Sequence, residues 1–244
     1  MNYQPSYRPV GEQSVLVEWH AEINPNLLQE MLAFKNAVES RFKEDILEVI
    51  NTYNSLTFFL KGVDQQEFIS FIQRIEEKDF EHITVDSKRW IIPVCYDPSM
   101  GLDLEKMAVN LELDMNEIIQ IHSDAEYLLY FIGFLPGFMY LGGLDDRLFH
   151  PRKSMPRTKI SKGDVGIAGE QTGIYPIDSP GGWNIVGNTP IPLFDSELAI
   201  PCFAQPGDSI RFQSISLEEY DYLQEEITRQ KFDVNSLMKN GQGD

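Results

Sequence analysis

The sequence predicts an α+β chain in two parts, a small ferredoxin-like α/β domain followed by an all-β barrel or sandwich. Three observations predict it. Hydrophobic spacing over the first ~90 residues switches between strand and helix periods in the order β-α-β-β-α-β, the ferredoxin-like split pattern. Between Gly133 and Gly207 lie 12 of the 17 glycines and 9 of the 14 prolines, a density that implies many short connections. Aromatic and aliphatic residues (Phe134, Phe138, Tyr140, Leu144, Ile167, Tyr175, Trp183) are interleaved through the same stretch, which marks an ordered, loop-rich β region and not a low-complexity segment.

Taken in order, SVLVEW (14–19) alternates and is rich in β-branched residues, so it reads as a strand. Asn24 and Pro25 supply an N-cap and a first-position proline. Leu28, Met31, Leu32, Val38 and Phe42 then recur at helical spacing, giving a helix over 25–42. Residues 46–53 and 56–60 are two strands around an Asn54-Ser55 turn. Asp64 and Glu67 form a capping box for a helix carrying Phe68, Phe71, Ile72 and Ile75. Strands follow at 82–85 and 89–94. The first domain is taken as residues 1–88 and the barrel-bearing one as 89–244, with PVCYDPSMG (93–101) marking the boundary region. Two short helices come next, one with Leu104, Met107, Ala108 and Leu111, the other capped by Asp114 and Glu117 and ending near His122. Short strands are expected at 127–132, 165–168, 173–175, 183–186, 192–194 and 210–212. Ser216 and Glu219 cap a final helix with Leu217, Tyr220, Leu223 and Ile227 on one side, and residues 239–244 read as a frayed end.

Composition narrows the function classes. The chain has 244 residues and a formal charge of −18, and its pI is near 4.5. Such a surface argues against nonspecific binding to nucleic acid or to acidic membranes. No apolar run is long enough for a membrane span and no signal-peptide pattern is visible. The two cysteines, Cys95 and Cys202, form neither a metal pattern nor a disulfide framework, so a cytoplasmic protein is expected. The four histidines are scattered and suggest no metal site. There is no G-x-S-x-G, H-E-x-x-H, Walker A or G-x-G-x-x-G motif, which removes the obvious stand-alone hydrolases and NTPases.

Candidate site residues cluster in the Gly/Pro stretch. Six cations and no carboxylate lie between Arg147 and Lys162, a local reversal of sign that suits either an anion pocket or a solvated loop face. Arg152 and Arg157 each directly follow a proline and so are candidates for held guanidinium groups. The other reading is a surface or structural ion pair. In SPGGW, Gly181 and Gly182 precede Trp183. Paired glycines fit an anion nest or oxyanion hole, and equally a hairpin turn. The turn FLPGF places Phe138 as core or as a ligand platform. Gln171, Thr172 and Tyr175 supply neutral polar groups nearby. His122 is a candidate proton carrier or a partner of a helix C-terminus. Cys202 reads as buried and inert.

Three runs, GFLPGFMYLGGL, PRKSMPRTKISKGDVGIAGEQTGIYP and SPGGWNIVGNTP, stand in order and at matching spacing. With weaker similarity along nearly the whole chain, they resemble the family of KipI and the 5-oxoprolinase B subunits, also called allophanate hydrolase subunit 1 and related to a carboxyltransferase subdomain of urea carboxylase. The resemblance implies a cyclophilin-like β-barrel from about Trp90 onward, behind the N-terminal α/β domain. It implies one component of an ATP-dependent 5-oxoprolinase that opens 5-oxo-L-proline to L-glutamate, with ATP and Mg2+ at a site shared with a partner. The partners it implies are proteins like the C and A subunits of that enzyme. On this reading His122 or Tyr175 handles a proton and Arg152 and Arg157 hold anions. Phe138, Gln171, Thr172, Pro180, Gly181, Gly182 and Trp183 line the substrate, and no metal is held by the chain itself. Other relatives inhibit a sporulation histidine kinase, so a kinase-binding regulator is the competing expectation. A prolyl isomerase follows only from fold analogy. Two positions depart from the family pattern: Asp164 stands where relatives commonly show serine, and Asn188 where they commonly show arginine. The second removes a cation from the neighbourhood of the expected site.

Overall fold

In the structure, a computed structural model, residues 4–20, 24–75 and 87–239 are described. The chain divides into two compact units, Met1–Asp86 and Ser87–Asp244.

In the first unit, β1 (Pro5–Val10), β2 (Ser14–Trp19), α1 (Pro25–Arg41), β3 (Ile46–Asn51), β4 (Ser55–Leu60) and α2 (Gln65–Ile72) follow in order. The strands form one antiparallel sheet in the order β1-β2-β4-β3. β2, α1 and β3 thus make a split β-α-β with β4 between the strands. Asn24 caps α1 by accepting from the Asn26 N–H, and Asp64 caps α2 by accepting from Gln66 and Glu67. Val15, Val17, Phe58 and Leu60 from the strands meet Met31, Phe34 and Val38 of α1 and Phe68 and Ile72 of α2 in one apolar core. Local pattern shows no sign of β1, because Pro5 and Pro9 cannot donate to a ladder. Both are accommodated because β1 is the edge strand, reached through a turn in which Gly11 has φ +59°. The strand expected at 82–85 lies outside the described residues.

The second unit contains β5 (Arg89–Cys95), α3 (Leu104–Leu111), α4 (Met115–Asp124), β6 (Glu126–Ile132), β7 (Met139–Gly142), β8 (Arg157–Ile160), β9 (Asp164–Ala168), β10 (Gln171–Ile174), β11 (Ser179–Gly181), β12 (Asn184–Asn188), β13 (Ser209–Ile215), α5 (Leu217–Thr228) and β14 (Met238–Lys239). Strands β5-β13-β6-β7-β10-β9-β12 close on themselves through the pair Asn188 and Cys95, while β14 adds to β5 and β8 pairs with β11 as a separate ribbon. β5 and β13 run parallel, from Arg89 beside Ser209 to Cys95 beside Ile215. The buried carboxylate of Asp208 stitches that seam: it accepts from the Lys88 N–H at 2.8 Å, from Trp90 Nε1 at 2.8 Å and from the Gln205 N–H at 3.0 Å. The barrel therefore begins at β5, and residues 93–101 are not a boundary, since β5 runs into them.

Trp90, Ile92, Val94, Leu129, Leu141, Val165, Ile167, Ile174 and Val186 fill the barrel interior, with Leu104, Met107 and Ile118 of α3 and α4 packed into the same core. The strand expected at 192–194 is absent. Pro190 and Pro192 remove ladder donors, and the segment serves as irregular chain that inserts Ile191 and Leu193 into the core. Complete capping boxes start α4 and α5. No helix among the described residues is long and apolar enough to cross a membrane.

Candidate functional site

Strand alternation puts two different environments on the two faces of the same barrel wall. On β10, Thr172 and Ile174 are buried and Ile174 belongs to the interior core. Gly173 between them faces out, where an added Cβ would meet the rings of Phe138 and Trp183 at 3.1 and 3.0 Å. The absent side chain makes room for a second, smaller core of Phe138, Ile160, Ala168, Tyr175, Trp183 and Ile185, flanked by Leu135 and Tyr140. Its rings meet edge to face: Phe138 lies 4.8 Å from Tyr175 and 5.4 Å from Trp183. The β8–β11 ribbon contributes Ile160 to this layer, and Gly181 passes so close that a Cβ there would lie 2.5 Å from the Tyr175 hydroxyl.

That contact revises the expectation for SPGGW. Neither Gly181 nor Gly182 has a positive φ, so the alternating backbone of an anion nest is not formed. Gly181 is small because Tyr175 is against it, and the Gly182 carbonyl accepts from the Lys153 N–H at 2.8 Å. The FLPGF expectation divides. Leu135 to Phe138 closes a Pro-Gly turn, with Gly137 at φ +88° and the Phe138 N–H on the Leu135 carbonyl. Phe138 is core, whereas Phe134 is 71% exposed and holds φ +67°, a left-handed conformation that is costly for a bulky residue.

The cationic run crosses this layer as a strap, residues 151–157. Asp103, at the start of α3, receives Lys153 Nζ at 2.5 Å, Arg157 Nη1 at 2.6 Å and Nη2 at 2.8 Å, and the Ile185 N–H at 2.8 Å. Its side chain is 4% exposed, against 20% for Lys153 and 26% for Arg157. Burial alone would raise the Asp103 pKa, but the hydrogen bonds from Arg157, Lys153 and Ile185 outweigh it and hold the carboxyl down at about 2. Arg157 is therefore the structural ion pair of the two readings. Arg152 differs: its guanidinium sits over the Trp183 ring, 5.7 Å from the centroid, is exposed, and has no ion pair among the described residues. Tyr175 is buried, which pushes its pKa up to about 12, so at neutral pH it is an uncharged phenol and not a base.

His122 and Thr172 are elsewhere, together inside the barrel. Thr172 donates its hydroxyl to the Gly166 carbonyl at 3.1 Å, so its oxygen accepts from His122 Nε2–H at 2.9 Å. Nδ1 is then bare and accepts from the Tyr96 hydroxyl at 2.7 Å. The imidazole is fully buried and stacked on Phe212 at 4.8 Å, and burial lowers its pKa to about 3. It is a neutral, satisfied core group. Gln171 is half-buried at the start of β10 and Pro180 is exposed on β11. Cys202 is half-buried, not buried.

The two departures from the family pattern are partners. Asn188 donates Nδ2 to Asp164 at 2.8 Å and to the Lys162 carbonyl at 3.0 Å, and its Oδ1 accepts from the Tyr220 hydroxyl at 2.8 Å. Position 188 thus ties α5 to the barrel. Burial raises the Asp164 pKa. No group of three or more His, Cys, Asp or Glu suited to a metal occurs among the described residues.

Clefts open at other places. One of about 400 Å³ is lined by Cys95, Tyr96, Met115, Ile119 and Leu217 among others, and one of about 440 Å³ by Glu117, Asp124, Asp145 and Arg147 among others. Neither includes Arg152 or Trp183. Three groups flank the aromatic layer: Arg152 over Trp183, Tyr140 against Phe138 and Trp183, and Phe134 edge-on to Phe138. Asp103 is the residue sequence reasoning missed: an Asp before a helix signals a cap, yet this one makes no side-chain cap and binds residues 50 and 54 positions away.

Residues 5–204 match the family model described as carboxyltransferase domain, subdomain C and D. The chain is 35% identical over 232 residues to the 5-oxoprolinase B subunit of Bacillus subtilis strain 168, covering 89% of this chain and 95% of that one. Urea amidolyase of Lachancea kluyveri is 28% identical over 264 residues, 94% of this chain but only 14% of that protein. The solved structure of TTHA0988 superposes with a TM-score of 0.73 at 27% identity, covering 84% of this chain and 40% of that one.

Proposed function

The chain belongs to the carboxyltransferase subdomain C and D family, in its 5-oxoprolinase B-subunit branch, and we propose that it is the B subunit of an ATP-dependent complex that opens 5-oxo-L-proline to L-glutamate. The observation that carries this reading is the near full-length match to a 5-oxoprolinase B subunit, which covers both α/β unit and barrel. The site's chemistry supports it. A lactam resists water, and transfer of the ATP γ-phosphoryl group to its carbonyl oxygen makes the ring carbon electrophilic. Water adds there, the ring nitrogen leaves as the amine, and a second water releases phosphate from the resulting acyl phosphate. Such a path needs oriented donors and cations more than a nucleophilic triad. Arg152, stacked on Trp183, holds the substrate carboxylate. Tyr175, an uncharged phenol packed against Gly181 and Phe138, backs the layer. ATP with Mg2+ binds at a site completed by partners like the C and A subunits of 5-oxoprolinase.

The test is release of glutamate from 5-oxo-L-proline with ATP, first by this chain alone and then mixed with those partners. Turnover only in the mixture is the expected result. No turnover in any mixture of folded components would sink the reading. A second reading, a regulator that docks on a histidine kinase, is favoured by one observation, the strained and exposed Phe134.

A further inference from the structure

Of the six cations of the 147–162 run, four are ion-paired, and Arg152 and exposed Lys162 have no ion pair among the described residues. Arg147 is paired with Asp145, Lys159 with Asp178, and Lys153 and Arg157 with Asp103. Four donors reach the two oxygens of Asp103, so the carboxylate is saturated and both cations are held in hydrogen bonds. The strap they belong to is fixed at further points: the Pro151 carbonyl accepts from Asn184 Nδ2 at 2.9 Å, and the Lys153 N–H donates to the Gly182 carbonyl. Between those anchors stands Arg152, the strap residue whose guanidinium is left to a ligand.

We propose that Asp103 is the positioning residue of this site: by engaging Lys153 and Arg157 it fixes the strap and leaves one guanidinium over Trp183, which fits the site to a small monocarboxylate and not to a phosphate. This rests on the reading of the chain as part of a 5-oxoprolinase. A planar guanidinium can fork either a carboxylate or a phosphate, but its single positive charge balances one carboxylate and leaves a phosphate dianion half-neutralised. Neutralising Asp103 releases two more cations beside Arg152, which loosens the strap and raises the local charge together.

The experiment uses the complex assembled with its partner subunits and measures KM and kcat for 5-oxo-L-proline, with inorganic phosphate as a probe inhibitor. Asp103→Asn is expected to raise KM about tenfold with kcat within about twofold, the pattern of lost ground-state binding. Phosphate is expected to become a competitive inhibitor against 5-oxo-L-proline, about tenfold tighter than in the native complex. Asp103→Glu, which keeps the charge, restores most of both. Lys153→Gln, which leaves the Arg157 fork in place, raises KM by a few fold and serves where Asp103→Asn does not fold. Folded Asp103→Asn or Lys153→Gln with native KM and native phosphate sensitivity would overturn the role of Asp103. Arg152→Ala separates the two levels. If it too leaves KM unchanged, the assignment of the substrate site itself is wrong; if it raises KM while Asp103→Asn does not, only the positioning role falls.

Discussion

Two buried polar groups lie on opposite sides of one barrel wall, and they are built on opposite plans. Inside, Tyr96, His122 and Thr172 form a one-way chain of neutral hydrogen bonds that ends on the Gly166 carbonyl. Outside, Asp103, Lys153 and Arg157 form a charged knot, and the strap it fixes carries a guanidinium without an ion pair among the described residues. A polar chain that is neutral and satisfied stabilises a fold. A charged one that holds a neighbouring cation in the open makes that cation available to an anion from solution. Residue type alone does not separate the two: a histidine invites a catalytic role more readily than an aspartate before a helix, yet here the histidine is a satisfied core group and the aspartate ties down the strap.

The most forceful way to break the comparison is His122→Ala. It leaves a cavity, strands the Tyr96 hydroxyl and removes a donor from the Thr172 oxygen, so we expect a loss of about 3 kcal/mol in urea denaturation. Turnover per folded molecule in the assembled complex should stay native. A variant as stable as the parent that has lost turnover would make His122 a catalytic group and erase the distinction.

Acid sharpens it. The folded His122 stays neutral down to about 3, against an ordinary value of 6.5, so between those values the unfolded chain binds the extra proton and stability falls as pH drops. The slope approaches about 1.4 kcal/mol per pH unit from this group. Asp103 acts in a lower window: its carboxyl is held at about 2 against 3.8, so its contribution is present above 3.8 and is lost as pH falls toward 2. Unfolding curves of His122→Gln from pH 7 to pH 4 should be flatter than those of the parent. Identical slopes would mean that His122 does not carry the acid response.

Tyr220→Phe gives the smallest effect, about 1 kcal/mol, since it removes one hydrogen bond to Asn188 and no packing. The KM for 5-oxo-L-proline should not move. A raised KM would show that the Asn188–Asp164 group communicates with the Arg152 layer after all.

Much of the fold was legible in the sequence because local rules decide it. Asn24, Asp64, Asp114 and Ser216 each cap the helix their spacing announces, and the Pro-Gly turn before Phe138 forms as its residues require. What was hidden depends on distant partners. β1 is a strand only because β2 offers it an edge, and 192–194 is not one because its apolar residues are drawn into the core. The site was legible in its materials, not in its wiring. Trp183, Tyr175, Phe138, Gly181 and Arg152 do come together, but the glycines serve packing, Arg157 is occupied, and His122 and Thr172 point inward. Asp103 had no local signal, since its partners are set by the closure of the barrel.

That closure also has a schedule. The Lys88 N–H is bonded to Asp208, 120 residues later, and β5 has its parallel neighbour only when β13 exists. At a synthesis rate of about 5–20 residues per second, β5 waits on the order of 6–24 s after leaving the ribosome before its partner is made. During that time Ile92, Val94 and the neighbouring Trp90 lack the parallel ladder that β13 gives them. The six described elements of the first unit are all complete by Ile72. The nascent chain is thus born with an early-finishing head and a late-finishing barrel, and it is the interval between them that exposes it to chaperones and to aggregation.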